Sequence, residues 1–337
     1  MPALAVADAL RAEGAEVTFI GSQRAEATLV PAAGFELRQI TVEGVSRSHP
    51  VKAMRALARA ALAVPRSRRL LRSLRADAVL GGGGYVSAPV GLAALSLRVP
   101  LVLSEADSHL GLSNRLLAPF ARRVCLAFPI AARGEPRFLV TGRPVPAVQA
   151  DREAARRRFG IPADDQCVLV FGGSLGARSI NLAAVEAFAS APFQVIHISG
   201  RRDYPQLAAR RLPDGYHLLE YLDVQQFGEA LDAADLAVAR AGGSVFELAA
   251  HGLPAILVPY PYASADHQSA NARWMAEAGA AVTVPDEELD AERLSREVVQ
   301  LLADEARVVE MAGAARSLAR PDAARVVAAE LLAAAAR

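Results

Sequence analysis

Between Val238 and Asn271 the chain carries two polar clusters, each placed where an apolar run hands over to a helical pattern. The run over 235–239 ends in Arg240-Ala241-Gly242-Gly243-Ser244. Two adjacent glycines remove Cβ atoms where a helix should begin. Its first backbone N–H groups therefore stand open and partially positive, a site for an anion such as a diphosphate. Glu247 follows within the first turns, where a carboxylate reaches the two hydroxyls of a ribose; the helix dipole alone would also stabilise a glutamate there. Farther on come Asp266-His267-Gln268 and Asn271. Spacings of three and four residues put His267, Gln268 and Asn271 on one helix face, with side chains able to bond sugar hydroxyls. A single glycine turn merely joins a strand to a helix. Two consecutive strand–turn–helix units with matching chemistry read as a nucleotide-sugar pocket.

Two further glycine-rich stretches follow apolar strands. In Gly172-Gly173-Ser174-Leu175-Gly176-Ala177-Arg178, Gly172 and Gly173 allow close approach and Ser174 offers both an N–H and a hydroxyl to a phosphate. The stretch has neither the Gly-x-Gly-x-x-Gly dinucleotide spacing nor the lysine of a Walker loop. In Gly81-Gly82-Gly83-Gly84-Tyr85-Val86-Ser87, the glycines either present Tyr85 and Ser87 to a ligand or simply permit tight packing. No Cys/His set has zinc spacing and no Asp-x-Asp is present to hold a metal-bound diphosphate, so neither metal nor cofactor is expected. Cys125 and Cys167 sit in apolar, strand-like runs and read as buried thiols rather than a disulfide.

A chain of 337 residues suggests two domains, each long enough for its own core. Strand candidates in the first half are 16–20, 36–40, 77–80, 101–104, 123–128 and 137–141, with helical patterns between them such as 24–33 and 87–97. Gly142–Ala150, with two prolines, reads as a linker. A second series follows at 167–171, 194–199, 216–220, 235–239, 255–259 and 281–285. Apolar strands alternating with helices predict an α/β fold of two doubly wound parallel sheets, whose ligands bind beyond the carboxyl ends of the strands in a cleft. Pro321 marks a break within the closing helices.

The net charge is only +1, but it is unevenly spread. Gly44–Ala76 holds nine basic residues and no acid: Arg47, Lys52, Arg55, Arg59, Arg66, Arg68, Arg69, Arg72 and Arg75. Leucines and valines interleave at helical spacing, and Pro65 is expected to break the segment into two helices. A basic amphipathic pair suits an anionic lipid surface; it also suits a solvated face packed on its own sheet. Nucleic acid is not an expected partner, because no aromatic is interleaved for base stacking. No apolar run approaches the roughly 18–20 residues of a membrane span.

These motifs, with Gly142-Arg143-Pro144-Val145, resemble in order and spacing the MurG family of glycosyltransferases along essentially the whole chain. The resemblance implies a GT-B architecture: an acceptor and membrane-side domain over 1–144, a UDP-sugar domain over 145–319, and a final helix, 320–337, returning to the first. It implies an inverting, metal-independent transfer of N-acetylglucosamine from UDP-N-acetylglucosamine to the C4 hydroxyl of undecaprenyl-pyrophosphoryl-muramyl-pentapeptide, by a peripheral enzyme on the cytoplasmic face of the bacterial plasma membrane. On the donor side it implicates Gly173, Ser174, the backbone of Leu222 at the uracil edge, Gly242, Gly243, Ser244, Glu247 at the ribose, and His267, Gln268 and Asn271 at the sugar. On the acceptor side it implicates Gly84, Tyr85, Ser87, Asp107 and Asn114.

Three departures stand out. Ser104-Glu105-Ala106-Asp107 replaces a commoner His-Glu-Gln-Asn, Pro146 stands where the family has arginine, with Arg143 three positions earlier, and the Arg240–Glu247 turn is one residue shorter than the commonest form. The chain also opens directly in a helical pattern, Met1–Leu10, where relatives first have a strand and a glycine loop ending in histidine. This reads as an N-terminal truncation; a chain that truly starts here would leave a gap in its sheet. Without that histidine, Glu105 is the remaining choice of general base. Two other readings are another GT-B enzyme acting on a UDP-sugar, and a non-catalytic UDP-sugar-binding protein.

Overall fold

The computed structural model describes residues 2–23, 26–42, 50–130, 136–148, 150–173, 175–263 and 266–336, with backbone only for 50–58. The chain divides into two compact units, residues 1–145 with 320–337, and residues 146–319.

The first unit runs α1 (Pro2–Ala12), β1 (Thr18–Gly21), α2 (Glu26–Ala32), β2 (Glu36–Gln39), α3 (Pro50–Leu74), β3 (Val79–Gly81), α4 (Gly84–Leu97), β4 (Leu101–Glu105), α5 (Leu112–Leu117), β5 (Arg123–Leu126) and β6 (Phe138–Val140). Its strands form two separate parallel sheets, β1-β2 and β3-β4-β5-β6. The expected break at Pro65 does not divide the basic segment, because α3 is one helix of 25 residues with Pro65 inside it. A proline in a helix interior costs about 3 kcal/mol through a lost N–H and a clash with the preceding turn. Against that cost, α3 packs along α4 and buries Ala63, Ser67 and Leu71, spaced four apart on one stripe. Helix α4 likewise accommodates Pro89 and begins at Gly84, three residues before the expected Ser87.

The second unit runs α6 (Arg152–Phe159), β7 (Cys167–Phe171), α7 (Arg178–Ala187), β8 (Gln194–Ile198), α8 (Tyr204–Ala208), β9 (Tyr216–Leu219), α9 (Val224–Ala233), β10 (Leu236–Ala239), α10 (Val245–His251), β11 (Ala255–Leu257), α11 (His267–Glu277), β12 (Ala281–Thr283), α12 (Ala291–Leu302) and α13 (Glu305–Leu318). A last helix, α14 (Ala323–Ala335), belongs to the first unit and packs on α1 and β4. The second sheet is one parallel array in the order β12-β11-β10-β7-β8-β9. Every residue of β7 and β10 is buried, as expected of central parallel strands covered by helices on both faces. Val168 and Val170 face a core closed by Ile180, Phe188 and Leu294.

One polar cluster locks α6 to this sheet. Arg156, itself 5% exposed, donates to the carbonyls of Ala233, Pro162, Ala163 and Asp165 and to Asp235 Oδ2 at 2.8 Å. The same carboxylate oxygen accepts from the Cys167 N–H at 2.9 Å, so the buried cation and the strand end share one anion. Cys125 and Cys167 are free buried thiols, each pushed up to about 12 by burial.

Candidate functional site

In the second unit the chain moves outward from β7 to β8 and β9, then returns to the other side of β7 with β10, β11 and β12. The order reverses between β7 and β10, and such a reversal opens a crevice at the carboxyl ends of the two strands. The loops leaving those ends are 172–177 and 240–244, so the two glycine-rich motifs flank one crevice.

Gly173 has φ of +91° and open space where a side chain would stand. Gly176 and Gly200, at φ +78° and +77°, press together so closely that a Cβ on Gly176 would strike the Ser199 carbonyl. Ser174 lies outside the described residues. Beneath this loop is a buried polar chain. The Asn181 amide donates to Ser199 O at 2.8 Å and to Asp203 Oδ2 at 2.9 Å. Its Oδ1 meets His197 Nε2 at 3.0 Å, and His197 Nδ1 meets the Tyr216 hydroxyl at 2.7 Å. An amide oxygen can only accept, so Nε2 carries the proton and Tyr216 donates to Nδ1. Burial keeps this imidazole neutral, its pKa pushed down to about 3. Asp203 is held below the usual carboxylate range, first by its hydrogen bond from Arg202 and also by that from Asn181.

The turn after β10 is held by two residues. Arg240, only 9% exposed, donates through Nη1 to Val258 O at 3.1 Å, Pro259 O at 3.2 Å and Asp286 Oδ1 at 2.6 Å. Its Nη2 donates to Ser179 Oγ at 2.7 Å, and Ser179 donates to Asp286 Oδ1 at 2.6 Å. Asn271, 2% exposed, donates to Ala241 O at 2.9 Å and Gly242 O at 3.4 Å. Asn271 therefore does not share an open face with His267 and Gln268: it turns inward and fixes the glycine turn from behind. Gly242, Gly243, Ser244 and Glu247 are half-buried at the start of α10, and the Ser244 side chain makes no cap bond to the N–H groups there. Gln268 Oε1 accepts from the Tyr260 N–H at 2.9 Å, and His267 is half-buried beside it.

Leu222 sits in the loop between β9 and α9. Its backbone is set by the capping box that follows, in which Asp223 accepts from Gln226 N at 2.9 Å and Gln226 Oε1 accepts from Asp223 N at 3.1 Å. Tyr221, 43% exposed, has the Arg201 guanidinium 5.4 Å from its ring centre. Arg240 and Tyr221 escaped the sequence reading, though an arginine closing a wholly apolar strand and an aromatic just past another were visible signals.

In the first unit, a cavity of about 500 Å³ is lined by Phe19, Ile20, Leu80, Gly84, Tyr85 and Arg143, among others. Ser22 Oγ gives its proton to Glu26 at 2.6 Å, so the Tyr85 hydroxyl, 3.5 Å away, is the donor to Ser22. Ser87 is buried, its Oγ beside the Gly81 backbone, and so lies beneath the loop rather than in the cavity. Ser104 and Ala106 line the cavity, while Glu105 between them points to the opposite side, 7% exposed. Its carboxylate accepts from Asp107 N at 3.2 Å, Gly111 N at 2.8 Å and Asn114 Nδ2 at 3.0 Å. Those bonds hold the loop ahead of α5, and the choice of Glu105 as proton acceptor is not favoured by this placement. Asn114 is fully buried and also donates to Ser104 O at 3.1 Å. Asp107 is half-buried on the same loop. Among the described residues, no three His, Cys, Asp or Glu side chains group as metal ligands.

The model for the glycosyltransferase family 28 N-terminal domain matches residues 1–126, and that for its C-terminal domain matches 167–327. A UDP-N-acetylglucosamine--N-acetylmuramyl-(pentapeptide) pyrophosphoryl-undecaprenol N-acetylglucosamine transferase of Rubrobacter xylanophilus is 45% identical, the match covering 98% of each chain. The transferase of the same name from Moorella thermoacetica is 41% identical over 97% of this chain and 93% of its own. Among solved structures, Acinetobacter baumannii MurG superposes with a TM-score of 0.74 at 29% identity, covering 98% of this chain and 95% of that one. The calicheamicin glycosyltransferase CalG4 shares the fold, with a TM-score of 0.71 at 19% identity over 100% and 95% of the two chains.

Proposed function

The chain belongs to the MurG family of glycosyltransferases, and on that premise we propose that it moves N-acetylglucosamine from UDP-N-acetylglucosamine to the C4 hydroxyl of the lipid-linked muramyl-pentapeptide in peptidoglycan synthesis. The observation that carries the donor half is the convergence of two glycine turns, 172–177 and 240–244, on the reversal point between β7 and β10. The hydroxyl oxygen bonds to the anomeric carbon as the bond to the UDP oxygen breaks, inverting that carbon. Negative charge gathers on the departing diphosphate, where the open N–H groups of the 242–244 turn and the Gly173 loop stabilise it. Glu247 takes the ribose hydroxyls and the backbone at Leu222 the imide edge of uracil. Gln268 and His267 face the sugar, while Asn271 and Arg240 act one step back, by holding the turn and the 258–260 loop.

On the acceptor side, Tyr85, Gly84 and Arg143 line one cavity, and Arg143 supplies a cation for the acceptor's pyrophosphate. Asp107, the carboxylate that Glu105 leaves free on this loop, is the choice for receiving the hydroxyl proton, a role worth about 10²–10⁴ in rate. The deciding experiment follows labelled sugar from UDP-N-acetylglucosamine into a lipid-linked muramyl-pentapeptide acceptor. Transfer is expected, and product with the donor's anomeric configuration retained would overturn the inverting mechanism.

Peripheral attachment to the membrane is the second part of the reading. No helix among the described residues is long and apolar enough to cross a membrane. On α3, Arg66, Arg69 and Arg72 are exposed along one stripe with Leu62, which is 66% exposed. Leu112, Leu116 and Phe120, four residues apart, are 50%, 60% and 66% exposed. Exposed cations and a stripe of exposed apolar side chains within one unit suit an anionic lipid surface. Arg47 lies outside the described residues, as do the side chains of Lys52 and Arg55.

A further inference from the structure

Among the described residues, the most exposed large apolar side chain is that of Tyr262, at 82%. It stands on a turn held from several directions. Just past β11, the Val258 N–H donates to Ala239 O at 2.8 Å, and Arg240 ties down the Val258 and Pro259 carbonyls. The Ala263 N–H then donates to Tyr260 O at 3.1 Å, closing a β-turn over Tyr260-Pro261-Tyr262-Ala263. Proline at the second position of such a turn sets its φ in advance. Gln268, at the start of α11, accepts from the Tyr260 N–H at 2.9 Å. The Tyr260 ring lies 5.4 Å from the Arg240 guanidinium, and the Tyr262 ring meets it edge to face, with centroids 5.6 Å apart and planes at 72°.

Single exposed apolar side chains are ordinary. This one differs in being backed by a second aromatic, on a fixed turn that is bonded to Gln268. A rigid ring held out in water is a contact surface whose ordering cost has already been met. Strand order gives its side of the donor. The two glycine turns leave β7 and β10, and β11 lies next outward from β10. Loop 258–263 and the start of α11 are therefore on the side of the crevice away from β7. An in-line displacement brings the attacking hydroxyl to the anomeric carbon from the face opposite the leaving diphosphate. The sugar that carries this hydroxyl thus arrives on the side away from the two glycine turns, which is the side of Tyr260 and Tyr262. A hexose has a face made of C–H groups, whose partial positive charge suits the negative face of an aromatic ring. Its hydroxyls lie at the rim, where a ring stacked on the C–H groups leaves them unobstructed.

We infer that Tyr262, backed by Tyr260, is a stacking platform for the acceptor's own sugar: the C–H face of the muramyl ring rests on the Tyr262 ring while the C4 hydroxyl is presented to the anomeric carbon. The inference rests on the transfer proposed above and adds to it an acceptor contact on the second unit, made by shape rather than by charge.

The test uses the whole chain and has one arm that needs turnover and one that does not. With a lipid-linked muramyl-pentapeptide, Tyr262→Ala should raise the KM for this acceptor about ten-fold, or roughly 1.4 kcal/mol. The KM for UDP-N-acetylglucosamine and the calorimetric affinity for UDP should stay as they were. Tyr262→Phe keeps the ring and should bring the acceptor KM back nearly to the wild-type value. An acceptor KM that does not move in Tyr262→Ala, or a rise in the donor KM instead, would overturn the inference. In the second arm, tyrosine ring protons are saturated in the UDP-loaded protein mixed with soluble N-acetylmuramyl-pentapeptide. Magnetisation should pass to the C–H protons of the muramyl ring, and Tyr262→Ala should abolish it; a signal that survives the substitution would overturn the platform. Transfer to the peptide protons alone would make the stem the occupant and sink the sugar assignment. A wild-type chain that gives the Tyr262-dependent muramyl signal yet moves no sugar would count against the proposed reaction and still support the platform.

Discussion

The two units are built on the same alternation of parallel strands and helices, but one sheet is continuous and the other is not. In the second unit, six strands run unbroken from β12 to β9, and polar chains beneath them tie loop to loop: Asp203–Asn181–His197–Tyr216 under the first glycine turn, Arg240–Ser179–Asp286 under the second. In the first unit the sheet parts between β1 and β3 around a cavity. Nucleotide recognition needs donors fixed in advance, because charge develops on the diphosphate faster than a loop can rearrange. The second unit meets that need by tying its loops to one unbroken sheet.

The sharpest way to break this contrast is to cut the clamp that makes the second unit rigid. Arg156→Met leaves Asp235 with Arg152 alone as its cation and strips a buried donor from the carbonyls of Ala233, Pro162, Ala163 and Asp165, which should cost about 1–3 kcal/mol, the range for buried polar groups left unsatisfied. Denaturant unfolding should then lose the gap between the two units, with the wild-type second unit melting later than the first. An unchanged second transition would mean that this cluster does not set its stability. Next in size is the surface of the first unit. Replacing Arg66, Arg69 and Arg72 together by Gln should remove up to about 3 kcal/mol of attraction to vesicles of anionic lipid, at about 1 per cation. UDP binding should stay as it was. If the variant sediments with vesicles as before, the stripe is only a solvated face.

Within the donor crevice, Glu247→Ala should weaken UDP by about 1.5–3 kcal/mol, as for a lost charged hydrogen bond. Equal calorimetric affinities would remove Glu247 from the pocket. The smallest effect per step is a pH dependence. His197 is held neutral with its pKa lowered from 6.5 to about 3, so below about 6.5 the unfolded chain binds a proton that the folded one refuses. The second unit should therefore lose up to about 1.4 kcal/mol per pH unit as pH falls from about 6.5 toward about 3. His197→Gln should flatten that slope even if it lowers stability throughout, whereas an identical slope in the variant would assign acid sensitivity to other groups.

The second unit's strands were legible because both faces of each are buried: Cys167–Phe171 is an unmixed apolar run, and the strand has those bounds. The first glycine turn was legible because φ of +91° at Gly173 and +78° at Gly176 leaves few other residue types. What stayed hidden depends on which way a side chain turns once the fold exists. Asn271 lies on the helix face that spacing assigned it, yet packing points it inward. Glu105 follows strand alternation to the side opposite Ser104 and Ala106. Pro65 sits inside α3 because contact with α4, invisible in a local window, outweighs a local penalty.

The pairing of α1 with α14 has a consequence for synthesis. Residues 146–319 form one compact unit that is continuous in sequence, so all of that half is available to close once residue 319 has left the ribosome. The other half cannot close until residues 320–337 have been translated, because α14 covers β4 and supplies Val327 and Ala328 to the core beside Val6 and Val102. Until then those apolar surfaces stand uncovered on the nascent chain. The half expected to meet the membrane is thus the last to mature, and it is the half in which chaperones should find most to hold.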